Sequence, residues 1–229
     1  MTAHEMQRGV WYVAYGSNLA SERFRCYLAG GRPAGGSRWY AGCRDPAAPT
    51  RSLGIEVPGG LVFAGSSGVW KGGMAFYDRT VGGVVACRAH RVTIEQFADI
   101  AAQELRRPPG GTFARNLPGL LADVESVVTI GRGPYETVVR LGELDGVPMF
   151  TITHHDVAGL RTAAPTGPYL RWISIGLREA HGYDPARTAR YLAAARGVRG
   201  GWTERDLREL ASSADAAVHL PVPSARTVL

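Results

Sequence analysis

The segment Trp11–Phe24, WYVAYGSNLASERF, carries the strongest fold signal in the chain. Up to Tyr15 its residues are mostly apolar and aromatic, which is typical of a buried β-strand. The triplet Gly16–Asn18 then stops the strand, and a helix-compatible pattern begins at Leu19. Free backbone N–H groups at a helix start attract anions, so this turn is either an ordinary helix cap or a site for a carboxylate or phosphate. Taken alone, the triplet favours the cap.

The bulk composition indicates a folded globular protein without a membrane or nucleic-acid partner. The chain has 229 residues, 45% of them hydrophobic, and no apolar run approaches the roughly 18 residues of a membrane span. The polar residues 1–8 precede no cleavable apolar segment, and we expect a cytoplasmic protein. The formal charge is +6, but the basic residues are dispersed and Arg106-Arg107 is their only adjacent pair, which argues against nucleic-acid binding.

Neither the cysteines nor the histidines predict a metal or cofactor. Cys26, Cys43 and Cys87 are widely spaced with no C-x-x-C pair, which indicates reduced thiols. His154 and His155 are adjacent, and neighbouring residues on a strand point to opposite sides. We therefore expect a surface segment or turn at these histidines, with a metal site as the minor alternative, and no cofactor.

Short segments bounded by Gly, Pro or Asp alternate with helical patterns along the chain. Strands are predicted at 10–15, 60–64, 70–78, 83–89, 137–141 and 147–153, and helices at 19–28, 93–107, 166–181, 185–196 and 203–213. Such short strands favour a small barrel or a strongly curved sheet. Residues 108–134 and the rest of 32–68 read as loops, and the tail after Ala214 as loosely ordered.

One carboxylate falls on the apolar face of the predicted helix 93–107. A capping-box pattern at Thr93 fixes the helix start and hence its faces. Glu104 then lies on the core-facing stripe, whereas Glu95 and Asp99 are expected to be solvated. Burial raises the pKa of a carboxyl towards the value that a general acid or base needs. The alternative is a structural ion pair between Glu104 and an arginine at the edge of the stripe.

Several motifs occur in a familiar order: YVAYGSNL at 12–19, WKGGMA at 70–75, GVV at 83–85, IAAQE at 100–104 and PTGPYLRWISIGLREAHG at 165–182. In this order they resemble the γ-glutamylcyclotransferase and AIG2-like family, whose hallmark is a Tyr-Gly-Ser-Asn-Leu turn after the first strand. The resemblance implies an α+β fold, a small mixed β-barrel flanked by helices, over residues 1–183. Residues 184–229 would form a helical extension packed on the same domain.

The resemblance also implies an enzyme with Glu104 as its catalytic general acid/base. Its substrate-binding residues would be Tyr12, Val13, Ala14, Tyr15, Gly16, Ser17, Asn18, Leu19, Tyr135 and Tyr169. In the implied reaction, the α-amine of a small γ-glutamyl-type amide attacks the γ-carbonyl of the same molecule, releasing 5-oxoproline or a related lactam and an amine. No cofactor or metal takes part.

Two departures from the family pattern concern the substrate pocket. The segment 108–134 is an insertion between Glu104 and Tyr135, and Leu105 stands where a glycine commonly follows the glutamate. The substrate specificity therefore does not carry over. Two other functions stay open: another acyl-transfer or amide-hydrolysing enzyme, or a non-catalytic protein of the same fold that binds small molecules or partners. The C-terminal helices would cover the barrel, form a homodimer contact or dock a partner.

Overall fold

The computed structural model describes residues 9–218, with side chains described up to residue 214. Within this range the strands are β1 Val10–Ala14, β2 Arg51–Pro58, β3 Gly60–Ala64, β4 Met74–Asp78, β5 Val84–Val92, β6 Val127–Thr129, β7 Thr137–Leu144 and β8 Val147–Thr153. The helices are α1 Ser21–Ala29, α2 Ile94–Glu104, α3 Thr112–Ala122, α4 Gly167–His181, α5 Pro185–Ala194 and α6 Glu204–Val218.

A six-stranded mixed sheet with the order β2-β5-β1-β8-β7-β6 forms the centre of the fold. The strand β1 pairs in parallel with β8 and antiparallel with β5, and the other pairs are antiparallel. A separate hairpin of β3 and β4 lies against β5 and β8, so that the strands curl around the core. The predicted α+β class is confirmed, with a curled mixed sheet flanked by helices.

Both faces of β1 are buried, which explains its unbroken apolar sequence. Trp11 and Val13 face a core cluster shared with α4, and Tyr12 and Ala14 face a second cluster shared with α1 and α2. Leu192 of α5 and other apolar side chains of α5 and α6 belong to the first cluster. The C-terminal helices thus share the core of the sheet, while a domain boundary at residue 183 stays a prediction.

Most predicted elements are found, and two match residue for residue: the strands 60–64 and 147–153. Others differ at their ends. The predicted helix 19–28 is split into a 3-10 turn, Ser17–Leu19, and α1, which begins at Ser21. The predicted strand 70–78 begins only at Met74, because residues 67–72 close a tight turn through backbone hydrogen bonds.

The two segments predicted as loops contain further elements. Residues 108–134 hold α3 and β6, and residues 32–68 hold β2 as well as β3. The helix α3 lacks a side-chain cap and carries Pro118, which weakens its sequence signal, yet Leu117 and Leu121 pack in the cluster of α2. Likewise β2 contains Gly54, a weak strand former, and is held by antiparallel pairing with β5 along its whole length.

At the C-terminus α6 continues to Val218, beyond its predicted end at residue 213. The expectation of loose order after Ala214 is therefore wrong for 215–218, and residues 219–229 lie outside the described residues. No helix in the described part of the chain is long and apolar enough to cross a membrane.

Candidate functional site

The turn after β1 does not act as a side-chain cap. Neither the 3-10 turn nor α1 receives a cap hydrogen bond from a side chain, and the N-cap of α1 is Ala20. The Asn18 amide instead donates from Nδ2 to the Tyr12 hydroxyl at 3.0 Å. Its Oδ1 is buried and has no hydrogen-bond partner among the described residues. A buried, unused acceptor of this kind is unusual and points to a ligand.

Gly16 brings this turn close to a second element of the site. A Cβ atom at Gly16 would lie 3.1 Å from the hydroxyl oxygen of Tyr169 on α4. Ser17 is buried beside it, and Leu19 closes the turn by donating its backbone N–H to the Gly16 carbonyl at 3.0 Å. The first N–H groups of such a turn have no partner within the helix, which keeps them available to an anion.

A buried histidine holds the turn through a hydrogen bond to its backbone. His90, on β5, is buried, with only 1% of the residue exposed to solvent. Burial lowers the pKa of His90 to about 3, so the ring is neutral. Its Nε2 lies 3.0 Å from the Asn18 carbonyl and its Nδ1 lies 2.9 Å from the Ser52 hydroxyl. A neutral ring can satisfy both contacts by donating to Asn18 and accepting from Ser52.

Glu104, the last residue of α2, lies opposite the turn. Its Oε1 accepts a hydrogen bond from the Tyr27 hydroxyl at 2.5 Å, and its Oε2 makes no hydrogen bond within residues 9–218. Desolvation raises the pKa of Glu104, although the Tyr27 hydrogen bond and the positive charges of Arg23 and Arg38 oppose the shift. No ion pair between Glu104 and an arginine is formed among the described side chains, so the structural alternative is not observed.

Arg23 was not selected from the sequence, yet it is the most unusual cation of the site. Its residue exposure is 2%, and its Nη2 donates to the Tyr40 hydroxyl at 2.7 Å. The guanidinium lies over the rings of Tyr40 and Tyr27, with its Cζ 4.4 and 4.8 Å from their centroids. Nε and Nη1 are buried without a hydrogen-bond partner in the described structure. Two unused donors on a buried cation are costly unless an anion binds them.

The helical pattern of α1 contained the signal for Arg23. Phe24, Tyr27 and Leu28 form the buried face of that helix, and Arg23 lies one turn before Tyr27 on the same face. A charged residue on an apolar stripe is the same anomaly that selected Glu104. Applied to α1, this criterion would have found Arg23 as well.

Two tyrosines close the opposite wall. The Tyr169 hydroxyl accepts the backbone N–H of Ala75 at 3.2 Å, and the Tyr135 hydroxyl donates to the Ala75 carbonyl at 2.9 Å. Trp70 stacks on Tyr169 with ring centroids 5.4 Å apart. Burial raises the pKa of Tyr169 to about 12, so its hydroxyl stays protonated and can donate to a ligand.

These groups line one cavity of about 110 Å³. Of the predicted site residues, it brings together Tyr12, Tyr15, Gly16, Ser17, Asn18, Glu104, Tyr135 and Tyr169; it adds Arg23, Tyr27, Arg38, Tyr40, Trp70 and Arg106. Val13, Ala14 and Leu19 do not line it. They are buried in the core, and their part in substrate binding stays a prediction.

A larger groove of about 1260 Å³ lies between α4 and α6. Three of its four carboxylates are already engaged by hydrogen bonds or ion pairs, and the fourth is that of Glu22. Glu179 pairs with Arg88, whereas Asp206 and Glu209 bind neighbours on their own helix or its cap. Of these two cavities, the smaller one is lined by buried polar side chains with unused hydrogen-bonding atoms, Asn18 and Arg23, and no such side chain of the described residues lines the larger groove.

Asp99 corrects the prediction that the first-turn acids of α2 are solvated. It is fully buried, and its carboxylate accepts from the backbone N–H of Arg44 at 2.9 Å, from Arg44 Nε at 3.0 Å and from the Gly110 N–H at 2.7 Å. The side of α2 opposite the sheet is covered by chain that the sequence pattern did not place there. Glu95 is exposed, as predicted.

The two adjacent histidines also differ from the prediction. Their rings do not point to opposite sides, since the centroids of His154 and His155 lie 4.5 Å apart and both rings approach Glu136. The strand β8 ends at Thr153, so the alternation of a strand does not apply beyond it. One potential ligand atom from each of Glu136, His154 and His155 lies within 4.8 Å of the other two.

No family model matches the chain. Histone deacetylase 5 from Arabidopsis thaliana is 31% identical over 156 residues, which cover 63% of this chain and 23% of that protein. The chain thus spans less than a quarter of the length of the curated relative it matches.

Two solved structures are similar at 16% identity and a TM-score of 0.46. One is an uncharacterized protein from Homo sapiens, matched over 90% of this chain and 99% of that one. The other is a gamma-glutamyl cyclotransferase, matched over 89% of this chain and 98% of that one.

Proposed function

We propose that the protein is a γ-glutamyl cyclotransferase-type enzyme acting on a small γ-glutamyl-type amide. The observation that carries the proposal is the pairing, within one small cavity, of a half-buried carboxylate with a raised pKa and a buried arginine with unused donors. These groups, Glu104 and Arg23, flank the Gly16–Asn18 turn. A ligand with a carboxylate and an amine on the same carbon would satisfy all three.

The α-carboxylate of the substrate would bind Nε and Nη1 of Arg23 and the free N–H groups of the turn. Charge-assisted hydrogen bonds of this kind are short and strong. Oδ1 of Asn18 would accept one hydrogen of the α-amine, which directs the nitrogen lone pair towards the γ-carbonyl. Holding the two ends of one molecule in this near-attack geometry supplies much of the rate enhancement in a ring closure.

The chemical step needs one proton carrier and one stabiliser of negative charge. As the amine nitrogen bonds to the γ-carbon, Glu104 takes a proton from the amine. It returns this proton to the amide nitrogen as the C–N bond to the leaving amine breaks. The Tyr169 hydroxyl would donate to the carbonyl oxygen while negative charge develops there. The products are a five-membered lactam and a free amine, and the protein forms no covalent bond.

A panel of γ-glutamyl amides incubated with the enzyme and followed by mass spectrometry tests the proposal. Glu104→Gln should lower the rate of lactam formation by about 10²- to 10⁴-fold, the range for a general acid/base. Glu95→Gln, an exposed residue of the same helix, is the matched control and should retain activity.

Three outcomes would contradict the mechanism. Lactam formation that survives Glu104→Gln unchanged excludes Glu104 as the proton carrier. Free glutamate in place of lactam assigns the cavity to a hydrolase. Saturable binding without any product supports the third function, a non-catalytic binding protein of the same fold.

A further inference from the structure

A second polar cluster lies outside the cavity, where β7 begins and β8 ends. Glu136 directly precedes β7, and His154 and His155 directly follow β8. The antiparallel pairing of these strands, with Thr137 opposite Thr153, brings the three side chains together. The cluster combines two imidazole rings with one carboxylate, and the two histidines line a neighbouring cavity of about 300 Å³.

The carboxylate of Glu136 is buried, with a residue exposure of 5%, and only one of its oxygens is satisfied. Oε1 accepts from the backbone N–H of His155 at 2.8 Å, and it lies 3.0 Å from both the ring Nδ1 of His155 and the Thr137 hydroxyl. Oε2 is buried and has no hydrogen-bond partner within the described chain. Burial would raise the pKa of Glu136, but the hydrogen bonds from His155 and Thr137 lower it and keep the carboxylate ionised.

The spacing of the unsatisfied oxygen from His154 suits a shared ion better than a hydrogen bond. Oε2 of Glu136 and Nε2 of His154 are 3.7 Å apart, beyond hydrogen-bond distance. Two ligands of one tetrahedral zinc ion, each at about 2.0–2.2 Å, are separated by roughly 3.4 Å. A small inward movement of either side chain therefore completes a metal bridge.

We propose that Glu136, His154 and His155 bind a divalent first-row transition-metal ion such as Zn²⁺, with water completing its coordination. Imidazole and carboxylate donors suit zinc and related ions, whereas an oxygen-only set would favour calcium or magnesium. The ion would join the start of β7 to the turn after β8. It is independent of the proposed reaction and contributes no group to it.

At this position the ion would stabilise one wall of the candidate active site. Tyr135, which lines that wall, immediately precedes Glu136 and stacks on Phe76 with centroids 5.1 Å apart. Phe76 in turn contacts the His154 ring, with centroids 6.2 Å apart. The role would be structural, since none of the three ligands lines the cavity that holds Glu104.

Metal binding would change a hydrogen bond of the neighbouring backbone. The ring nitrogen Nδ1 of His154 accepts the Asp156 N–H at 3.1 Å. A neutral ring that binds metal through Nε2 carries its proton on Nδ1, and this proton would oppose the hydrogen bond from the Asp156 N–H. The amide resonance of Asp156 should therefore shift on zinc addition.

The test uses tag-free, chelator-treated full-length protein titrated with Zn²⁺ by calorimetry and with Co²⁺ by visible absorption. We expect about one ion per chain, with d–d absorption for Co²⁺ and a zinc-dependent rise in melting temperature. His155→Ala removes a ligand whose side chain is 64% exposed, so folding should be retained. Loss of a ligand should weaken binding by more than about 100-fold, since even supporting residues are worth 10–100-fold.

Cys26→Ser is the control, because it removes a partly exposed thiol, a side-chain type that also binds zinc. It should leave the affinity unchanged. Glu136→Gln, checked for folding by circular dichroism, should abolish the shift of the Asp156 amide. The proposal is overturned if zinc does not bind, or if a folded His155→Ala variant binds it with wild-type affinity. Equal loss in Cys26→Ser would assign the ion to the thiols and would also overturn it.

Discussion

The buried His90 predicts how the stability of the fold responds to acid. Its pKa falls from the ordinary value of 6.5 to about 3, because burial penalises the charged ring. The unfolded chain therefore binds a proton below pH 6.5, whereas the folded chain does not until about pH 3. Stability from this group is complete above pH 6.5 and is lost as the pH falls towards 3.

The magnitude follows from the size of the shift. Each pH unit between the two pKa values changes the free energy of unfolding by about 1.4 kcal/mol. Between pH 7 and pH 5 this group alone should lower the free energy of unfolding by about 2 kcal/mol. That is a large fraction of the 5–15 kcal/mol typical of a folded domain.

Urea unfolding at pH 7, 6 and 5 measures this loss, with His90→Gln as the perturbation. Glutamine can still donate to the Asn18 carbonyl but does not titrate, so the variant should lose about 2 kcal/mol less than the wild type over this range. Parallel loss of stability in the wild type and His90→Gln would refute the reasoning.

Further predictions concern three residues, two that line the cavity and one that packs against the turn beside it. Because burial raises the pKa of Glu104, activity should be lost as the pH falls, with a midpoint above 4.5, the ordinary pKa of a glutamate. For the same reason Glu104→Gln should increase the urea midpoint at pH 8, where the wild type buries a charged carboxylate, and this gain should disappear below pH 4.5. Arg23→Gln should raise KM by about 10- to 150-fold with a smaller effect on kcat, in steady-state assays, as expected for a lost charge-assisted hydrogen bond. Gly176→Ala should cost about 1–3 kcal/mol in urea unfolding, because its Cβ would overlap Leu19 and lie 2.5 Å from the Ala20 nitrogen.

The fold was predictable where local signals agree with tertiary packing. The strands 60–64 and 147–153 and the capping box at Thr93 combine strong composition with clear boundaries, and each is found where the sequence predicts it. The helix α3 and the strand β2 were missed because packing overrides weak propensity there. Nothing local reveals that Leu117 meets the cluster of α2 or that β5 pairs with β2.

The candidate site was likewise predictable where a local sequence signal marked a residue, and not where long-range contacts decided its environment. Glu104 was visible because a carboxylate on an apolar stripe is a local anomaly. The partners that give it its environment come from other elements: Tyr27 from α1 and Tyr169 from α4. Asp99 was misjudged because the chain that covers it, Arg44 and Gly110, lies 55 residues before it and 11 residues after it. Long-range burial of this kind is not encoded in helical periodicity.

The unsatisfied groups of the cavity bear on the choice between carboxylate and phosphate that the Gly16–Asn18 turn raises. Arg23 offers two unused donors, which either anion could accept. Asn18 Oδ1 and Glu104 Oε2 are acceptors, and a phosphate at pH 7 would place acceptor oxygens and negative charge against both. A ligand with a carboxylate and an amine on one carbon supplies an acceptor to Arg23 and donors to the other two. Charge and hydrogen-bond complementarity at these three groups therefore favour a ligand with an amino-acid end over a phosphate.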